Sequence, residues 1–247
     1  SDRGGGGGGG GVVKTRYIMI IDQHKCVGCA ACEIACKMHN EVPTGVFLTH
    51  HIASTTGKFP KTKYSYKITM CNHCTNAPCV EACATGAMHK DEYGLTVVDY
   101  DKCIRCGLCA TACPYGQITP APENTAASDI AAVEPAIEGC TASGAELKEA
   151  IGAAYPCHDP ILDDYDLPMV EVGAPLKCQM CKQLVYNGDN PYCVDACPAG
   201  ARVFGDVENV YDSTLYDLMQ SYKMDTLLPE EGTEPAVYYM REFHKTW

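Results

Sequence analysis

Sixteen of the 18 cysteines in this 247-residue chain fall into four groups of four. Cys26, Cys29, Cys32 and Cys36 are spaced C-x2-C-x2-C-x3-C, and Cys103, Cys106, Cys109 and Cys113 repeat that spacing, with Pro114 after the last. Cys71, Cys74, Cys79 and Cys83 widen the middle gap to x4; Cys178, Cys181, Cys193 and Cys197 widen it to x11, with Pro198 following. A cubane of four irons needs four thiolates, one for each iron. Closely spaced cysteines wrap one loop around such a cubane, while the last of each group lies too far along the chain to close the same site. In two-cluster ferredoxins that cysteine ligates the neighbouring cluster, often with a proline after it. The spacing therefore predicts two ferredoxin-like pairs of 4Fe–4S clusters, each pair exchanging its last cysteines.

Two other chemistries use cysteines in number. A disulfide framework suits a small secreted chain, but C-x2-C-x2-C crowds its thiols into one loop. Structural zinc joins two C-x2-C pairs rather than a triplet and a distant single. Cys140 and Cys157 stand outside the scheme: a disulfide, free thiols, or a metal site with His158 are all open to them.

These cysteines need elements to hold them. Tyr17–Ile21 reads as a strand entering the first cysteine loop, and Cys32 to Asn40 as a short helix carrying Cys36. Tyr66–Met70 is strand-like before Cys71, and Pro78 to Cys83 suits a helical turn that begins with proline. Leu95–Val98 forms a strand after the turn at Asp91–Gly94, Gly107 to Cys113 a helix stopped by Pro114, and Pro191 to Cys197 a helix before a strand at Ala201–Phe204. The pattern is a pseudo-repeat of strand, cysteine loop and short helix.

Between the third and fourth groups, Thr119 to Pro175 holds eleven acidic residues and one base, Lys148. It reads as a solvated insertion with a helix at Ala145–Ala154, or else as a docking surface. Beyond Gly205, Tyr211–Tyr222 has helical spacing and Pro235–Met240 is extended.

Composition narrows the function. A formal net charge of −12 argues against nucleic-acid binding. Four Phe and one Trp leave little bulk for a core, so metals or crosslinks must supply stability. No run of about 18 apolar residues exists to span a membrane. Ser1 to Arg16, with glycine from Gly4 to Gly11, reads as a flexible leader and shows no signal-peptide pattern. No Gly-rich phosphate loop, no H-E-x-x-H and no nucleophile–base pair is present, so bond-making catalysis is not expected of this chain and no catalytic residue is assigned. Lys25, Lys37, Lys102, Arg105, Lys177 and Lys182 adjoin cysteines of the four groups. Cations so placed raise a cluster's reduction potential, and Arg105 is the residue expected to do so at Cys103.

The segments Asp22–Pro43 (DQHKCVGCAACEIACKMHNEVP), Cys71–Gly86 (CNHCTNAPCVEACATG), Asp101–Gly116 (DKCIRCGLCATACPYG), Lys177–Cys181 (KCQMC) and Pro191–Gly205 (PYCVDACPAGARVFG) resemble the iron–sulfur (beta) subunit of the dimethyl sulfoxide reductase, or complex iron–sulfur molybdoenzyme, family. The tail, Pro235–Met240 above all, is similar to that of the small subunit of pyrogallol–phloroglucinol transhydroxylase, which would imply a phenolic substrate for the partner.

The family resemblance implies an α+β fold of two ferredoxin-like double-cluster units. One is formed by residues 17–65 with 176–205, the other by 66–118; residues 119–175 are an insertion and 206–247 an extension packed on the core or the partner. It implies four 4Fe–4S clusters. Cys26, Cys29 and Cys32 would share the first with Cys197; Cys178, Cys181 and Cys193 would share the second with Cys36. Cys71, Cys74 and Cys79 would share the third with Cys113, and Cys103, Cys106 and Cys109 the fourth with Cys83. The first cluster would face a catalytic subunit carrying molybdopterin with molybdenum or tungsten, and the fourth would be distal. The function implied is electron relay in anaerobic respiration. A membrane anchor or a soluble electron donor would complete the chain, in the cytoplasm or exported with a signal-bearing partner. A stand-alone polyferredoxin is the alternative.

Overall fold

The computed structural model describes residues 15–43, 45–123, 171–208 and 213–241, with Ala142, Ser143, Glu146, Glu149 and Ala150 between them. Helices and strands are mixed. The central sheet is formed, in spatial order, by Arg202–Asp206 (β8), Tyr17–Asp22 (β1), Val237–Met240 (β10) and Met224–Asp225 (β9). β1 runs antiparallel to β8 and parallel to β10, with Met19 opposite Val237 and Phe204.

β1 is a continuous apolar run because both of its faces are covered, as in buried parallel strands. Met19 and Ile21 face a core with Ile68, Met70, Leu95, Val97, Met180 and Tyr239. Ile18 and Ile20 face the other way, onto Leu215, Ala236 and Met240. Leu215 belongs to α6, Ser213–Ser221, which covers the back of the sheet. Of the helix read at Tyr211–Tyr222, Tyr211 itself lies outside the described residues, as do Cys140, Cys157, most of Ala145–Ala154 and residues 1–14 of the glycine-rich leader.

The helices of the cysteine groups are short: α1 Ala31–His39, α2 Pro78–Glu81, α3 Leu108–Ala112 and α5 Tyr192–Asp195 carry cysteines, and α4 Lys182–Val185 follows Cys181. α1 packs on α5, with the His39 and Tyr192 rings stacked 4.0 Å apart. α2 packs on α3. Beside the second helix pair lies a small ladder, β4 Met88–Lys90 against β5 Thr96–Val98. A two-residue ladder, β6 Thr119–Pro120 against β7 Pro175–Leu176, joins the two ends of the acidic segment.

One element is absent from the sequence-based expectation. β2 Thr49–Lys58 and β3 Lys61–Met70 form a long antiparallel hairpin turning at Phe59–Pro60. The strand expected at Tyr66–Met70 is its buried base. The outer part stands in solvent, with Phe59 at its tip 91% exposed. Thr49 to Met70 contains four lysines and no acidic residue.

Candidate iron–sulfur sites

The first three cysteines of each group lie on a loop with one shared backbone feature. The residue two places after the first cysteine takes a positive φ in every group: Gly28 at 66°, His73 at 45°, Arg105 at 58° and Met180 at 57°. A left-handed residue in such a turn aims successive N–H groups to one side, the concavity known from anion and iron–sulfur sites. Arg105 N–H accordingly lies 3.4 Å from Cys103 Sγ, and Met180 N–H 3.4 Å from Cys178 Sγ. The last cysteines receive donors too: Ala201 N–H to Cys197 Sγ at 3.2 Å and Met88 N–H to Cys83 Sγ at 3.3 Å.

The fold then gathers cysteines from different groups. Cys26, Cys29, Cys32 and Cys197 line one cavity, with His51 and Ile68 on its wall. Cys83 lines another, of about 90 Å³, with Cys103, Cys106 and Cys109. Asn40 Nδ2 reaches both Cys36 Sγ, at 3.6 Å, and Cys181 Sγ, at 3.8 Å, so α1 delivers Cys36 to the Cys178 loop. Burial, and then Cys178, Cys181 and Cys193, push the Cys36 thiol well up. Burial, together with Cys71, Cys113 and Cys74, pushes Cys79 up to about 12, and Cys74, Cys79 and Cys113 pack in one apolar cluster. Each triplet is thus met by a cysteine from another group, and all sixteen described cysteines are free of disulfides.

The four gatherings also have an order. Cys193 feels Cys32 of the first set, and Cys178 feels Cys71 of the third. Cys83 and Cys109 pack against the cluster containing Cys74 and Cys79. Cys29 and Cys106, in the two outer sets, are exposed, whereas Cys36, Cys181 and Cys193 and Cys71, Cys74 and Cys79, in the inner sets, are buried.

These sites suit an iron–sulfur cluster on two grounds. Thiols that resist ionisation through burial and mutual repulsion are deprotonated by a coordinating cation. Buried polar groups also lack acceptors or donors within the protein beside the cysteines: both side-chain atoms of Asn72, His73 Nε2 and Arg202 Nε. Cluster sulfides offer acceptors to the N–H groups among them.

Comparison with known proteins decides the identity. Two models of the 4Fe–4S binding domain match, at residues 23–39 and 96–119. The arsenate respiratory reductase iron–sulfur subunit ArrB of Shewanella sp. (strain ANA-3) is 43% identical over 229 residues, covering 91% of this chain and 96% of that relative. The chain belongs to the iron–sulfur subunits of the molybdoenzyme family. Other members are a putative dimethyl sulfoxide reductase iron–sulfur subunit of Halobacterium salinarum, 34% identical over 92% of this chain and 79% of that one, and a selenate reductase subunit of Mesobacillus selenatarsenatis, 34% identical over 91% and 72%. As an iron–sulfur subunit it carries 4Fe–4S clusters and transfers electrons in a complex with a catalytic partner. Among the described residues no helix is long and apolar enough to cross a membrane.

The charges around the subunit's cysteines differ in part from expectation. Arg105 pairs its guanidinium with Glu171, and Lys102 pairs with Asp99, so both cations are offset by carboxylates at the surface. Lys37 turns away to the carbonyls of Pro43, at 2.9 Å, and Val46, at 2.7 Å. Lys177 is buried, its Nζ donating to the carbonyls of Thr96 and Cys178. Two cations are new. Lys90 Nζ donates to His73 O at 3.1 Å and Gly94 O at 2.8 Å. Arg202, 3% exposed, donates from Nη1 to Cys193 Sγ at 3.3 Å. The available signal for Arg202 was a charge inside a strand-like run just after Cys197.

Proposed function

We propose that this iron–sulfur subunit holds four 4Fe–4S clusters and passes electrons along them, in line, to or from a molybdopterin subunit carrying molybdenum or tungsten. The ligand sets are Cys26, Cys29, Cys32 and Cys197; Cys178, Cys181, Cys193 and Cys36; Cys71, Cys74, Cys79 and Cys113; and Cys103, Cys106, Cys109 and Cys83. One observation carries the reading: cysteines of different groups meet, Cys32 with Cys193, Cys71 with Cys178, and Cys83 and Cys109 with Cys74 and Cys79, while the exposed thiols among the described residues are Cys29 and Cys106. Two ferredoxin-like units, residues 17–65 with 176–205 and residues 66–118, each hold two clusters, and the four left-handed loop residues support their origin in a repeated element. Residues 119–175 act as an insertion and residues 206–247 as an extension that completes the core.

When bound, each cluster accepts and releases one electron. The protein's part is to fix the clusters and tune them. The loop N–H groups donate to cysteine sulfur, and the buried walls built by Ile68, Met70, Leu95 and Met180 keep water from Cys193 and Cys178. Relatives named for arsenate and selenate reduction support an oxyanion-reducing partner. Anaerobic purification followed by iron, acid-labile sulfide, molybdenum and tungsten analysis tests the reading. About sixteen irons per chain with matching sulfide are expected, alongside a large molybdenum- or tungsten-bearing companion. Full iron without a companion would instead indicate a stand-alone polyferredoxin, and zinc without sulfide would overturn the reading.

A further inference from the structure

Arg202 opens β8, five residues beyond Cys197, and its guanidinium is enclosed at the junction of the first two cysteine gatherings. Nη1 lies 3.3 Å from Cys193 Sγ and 3.4 Å from Met70 Sδ; Nη2 donates to Thr49 Oγ1 at 2.6 Å. Nε is buried and has no acceptor in the protein. Arg202 forms no ion pair with a carboxylate among the described residues, in contrast to Arg105 and Lys102. A guanidinium does not deprotonate in proteins, so this is a full positive charge in a poorly screened place. Burying such a charge is costly unless it is hydrogen-bonded and paired. Among the described residues, the anionic groups that meet it are thiolates and whatever they ligate.

We propose that Arg202 is the cation that sets the reduction potential of the cluster held by Cys178, Cys181, Cys193 and Cys36, raising it by stabilising the added electron through Cys193. The proposal rests on the ligand sets given above. Reduction adds one negative charge to that cluster, and the fixed guanidinium favours the reduced form over the oxidised one. The cluster of Cys26, Cys29, Cys32 and Cys197, reached through Cys32, gains less. Thr49 positions the charge: its hydroxyl holds Nη2, while its partner strand, β3, supplies Met70 to the same guanidinium. The base of the hairpin thereby fixes the cation beside the sulfur.

The test is an anaerobic redox titration of the full chain, loaded with iron and sulfide and followed by EPR. Cys193→Ser identifies the centre to which Cys193 belongs. Arg202→Gln should shift that centre's midpoint to lower potential, shift one neighbouring centre less, and leave the remaining two where they were. Arg202→Lys should return most of the shift, and Thr49→Val should lower the same midpoint slightly. Unchanged midpoints in a fully loaded Arg202→Gln protein would overturn the proposal, as would an equal shift of every centre. If Arg202→Gln fails to load, parental midpoints in both Arg202→Lys and Thr49→Val would show a structural role only and overturn it equally. A parent protein that binds fewer clusters, or a Cys193→Ser effect on a centre without the Cys178 set, would fault the ligand sets rather than Arg202.

Discussion

At the scale of the residue, the left-handed position in each cysteine loop has two kinds of occupant. His73, Arg105 and Met180 bear a side chain there, at a cost of roughly 1–2 kcal/mol each, offset where their loops aim N–H groups at sulfur. Gly28 is different, because the Tyr66 ring fills the space in which a Cβ would stand, 2.2 Å from its Cε1. Gly28→Ala should therefore lose more than the ~1–2 kcal/mol of backbone strain, seen as a lower midpoint in thermal unfolding of the loaded protein. Adding Tyr66→Leu should recover only the steric part. A parental midpoint for Gly28→Ala would contradict this account. Cys83 offers a second test. It lines the cavity of Cys103, Cys106 and Cys109, so Cys83→Ser should alter that centre's EPR signal and spare the centre of Cys71, Cys74 and Cys79. Selective loss of the latter would reject the exchange. The cysteines themselves were legible because cubane chemistry imposes a spacing. Arg202 was not, since one charge in an apolar strand has no periodicity to betray it. Arg105 was legible by position, beside Cys103, but its ion pair with Glu171 was not, since Glu171 is brought there by the return of the chain at β7.

At the scale of the element, short helices and the first strand could be read from local pattern, because proline, glycine and apolar runs mark them. The hairpin could not. Thr49–Lys58 shows no alternation of apolar and polar residues, since most of its outer part is exposed and neither face is buried. Its base alone is dictated by burial, through Thr49, Ile68 and Met70. The place of β10 was equally hidden: Pro235–Met240 reads as extended, but nothing local says that it enters the middle of the sheet, beside β1. The back of that sheet depends on α6. Leu215 is 2% exposed against Ile18, Ile20 and Met240, so Leu215→Ala should cost about 2–4 kcal/mol by cavity formation. Denaturant unfolding would check this; a loss below roughly 0.5 kcal/mol, the usual range for surface changes, would mean that α6 does not seal the sheet.

At the scale of the whole molecule, several of the thiols lie within the apolar core instead of beside it. Cys193 belongs to the same packed cluster as Met19 and Tyr239, and Cys74 and Cys79 to that of Met88 and Val98. Ligand binding and folding are then one free-energy change, as in other small metal-dependent cores. Removing iron with a chelator under oxidising conditions should abolish cooperative thermal unfolding and reduce far-UV circular dichroism; an apo-protein with the parental transition would refute the coupling. The pairing of β1 with β10 carries a further consequence, for biosynthesis. Met19 meets Val237, so a ribosome must deliver almost the whole described chain before the sheet can close. At about 5–20 residues per second, that delay is on the order of 10–40 s. For most of it, until Cys197 of the same cavity is made 40 residues before Val237, the first cysteine loop waits on a translating chain, open to delivery of iron and sulfide and equally open to oxidants. The last of the described strands to emerge, β10, thus completes the sheet only after all sixteen grouped cysteines have been made.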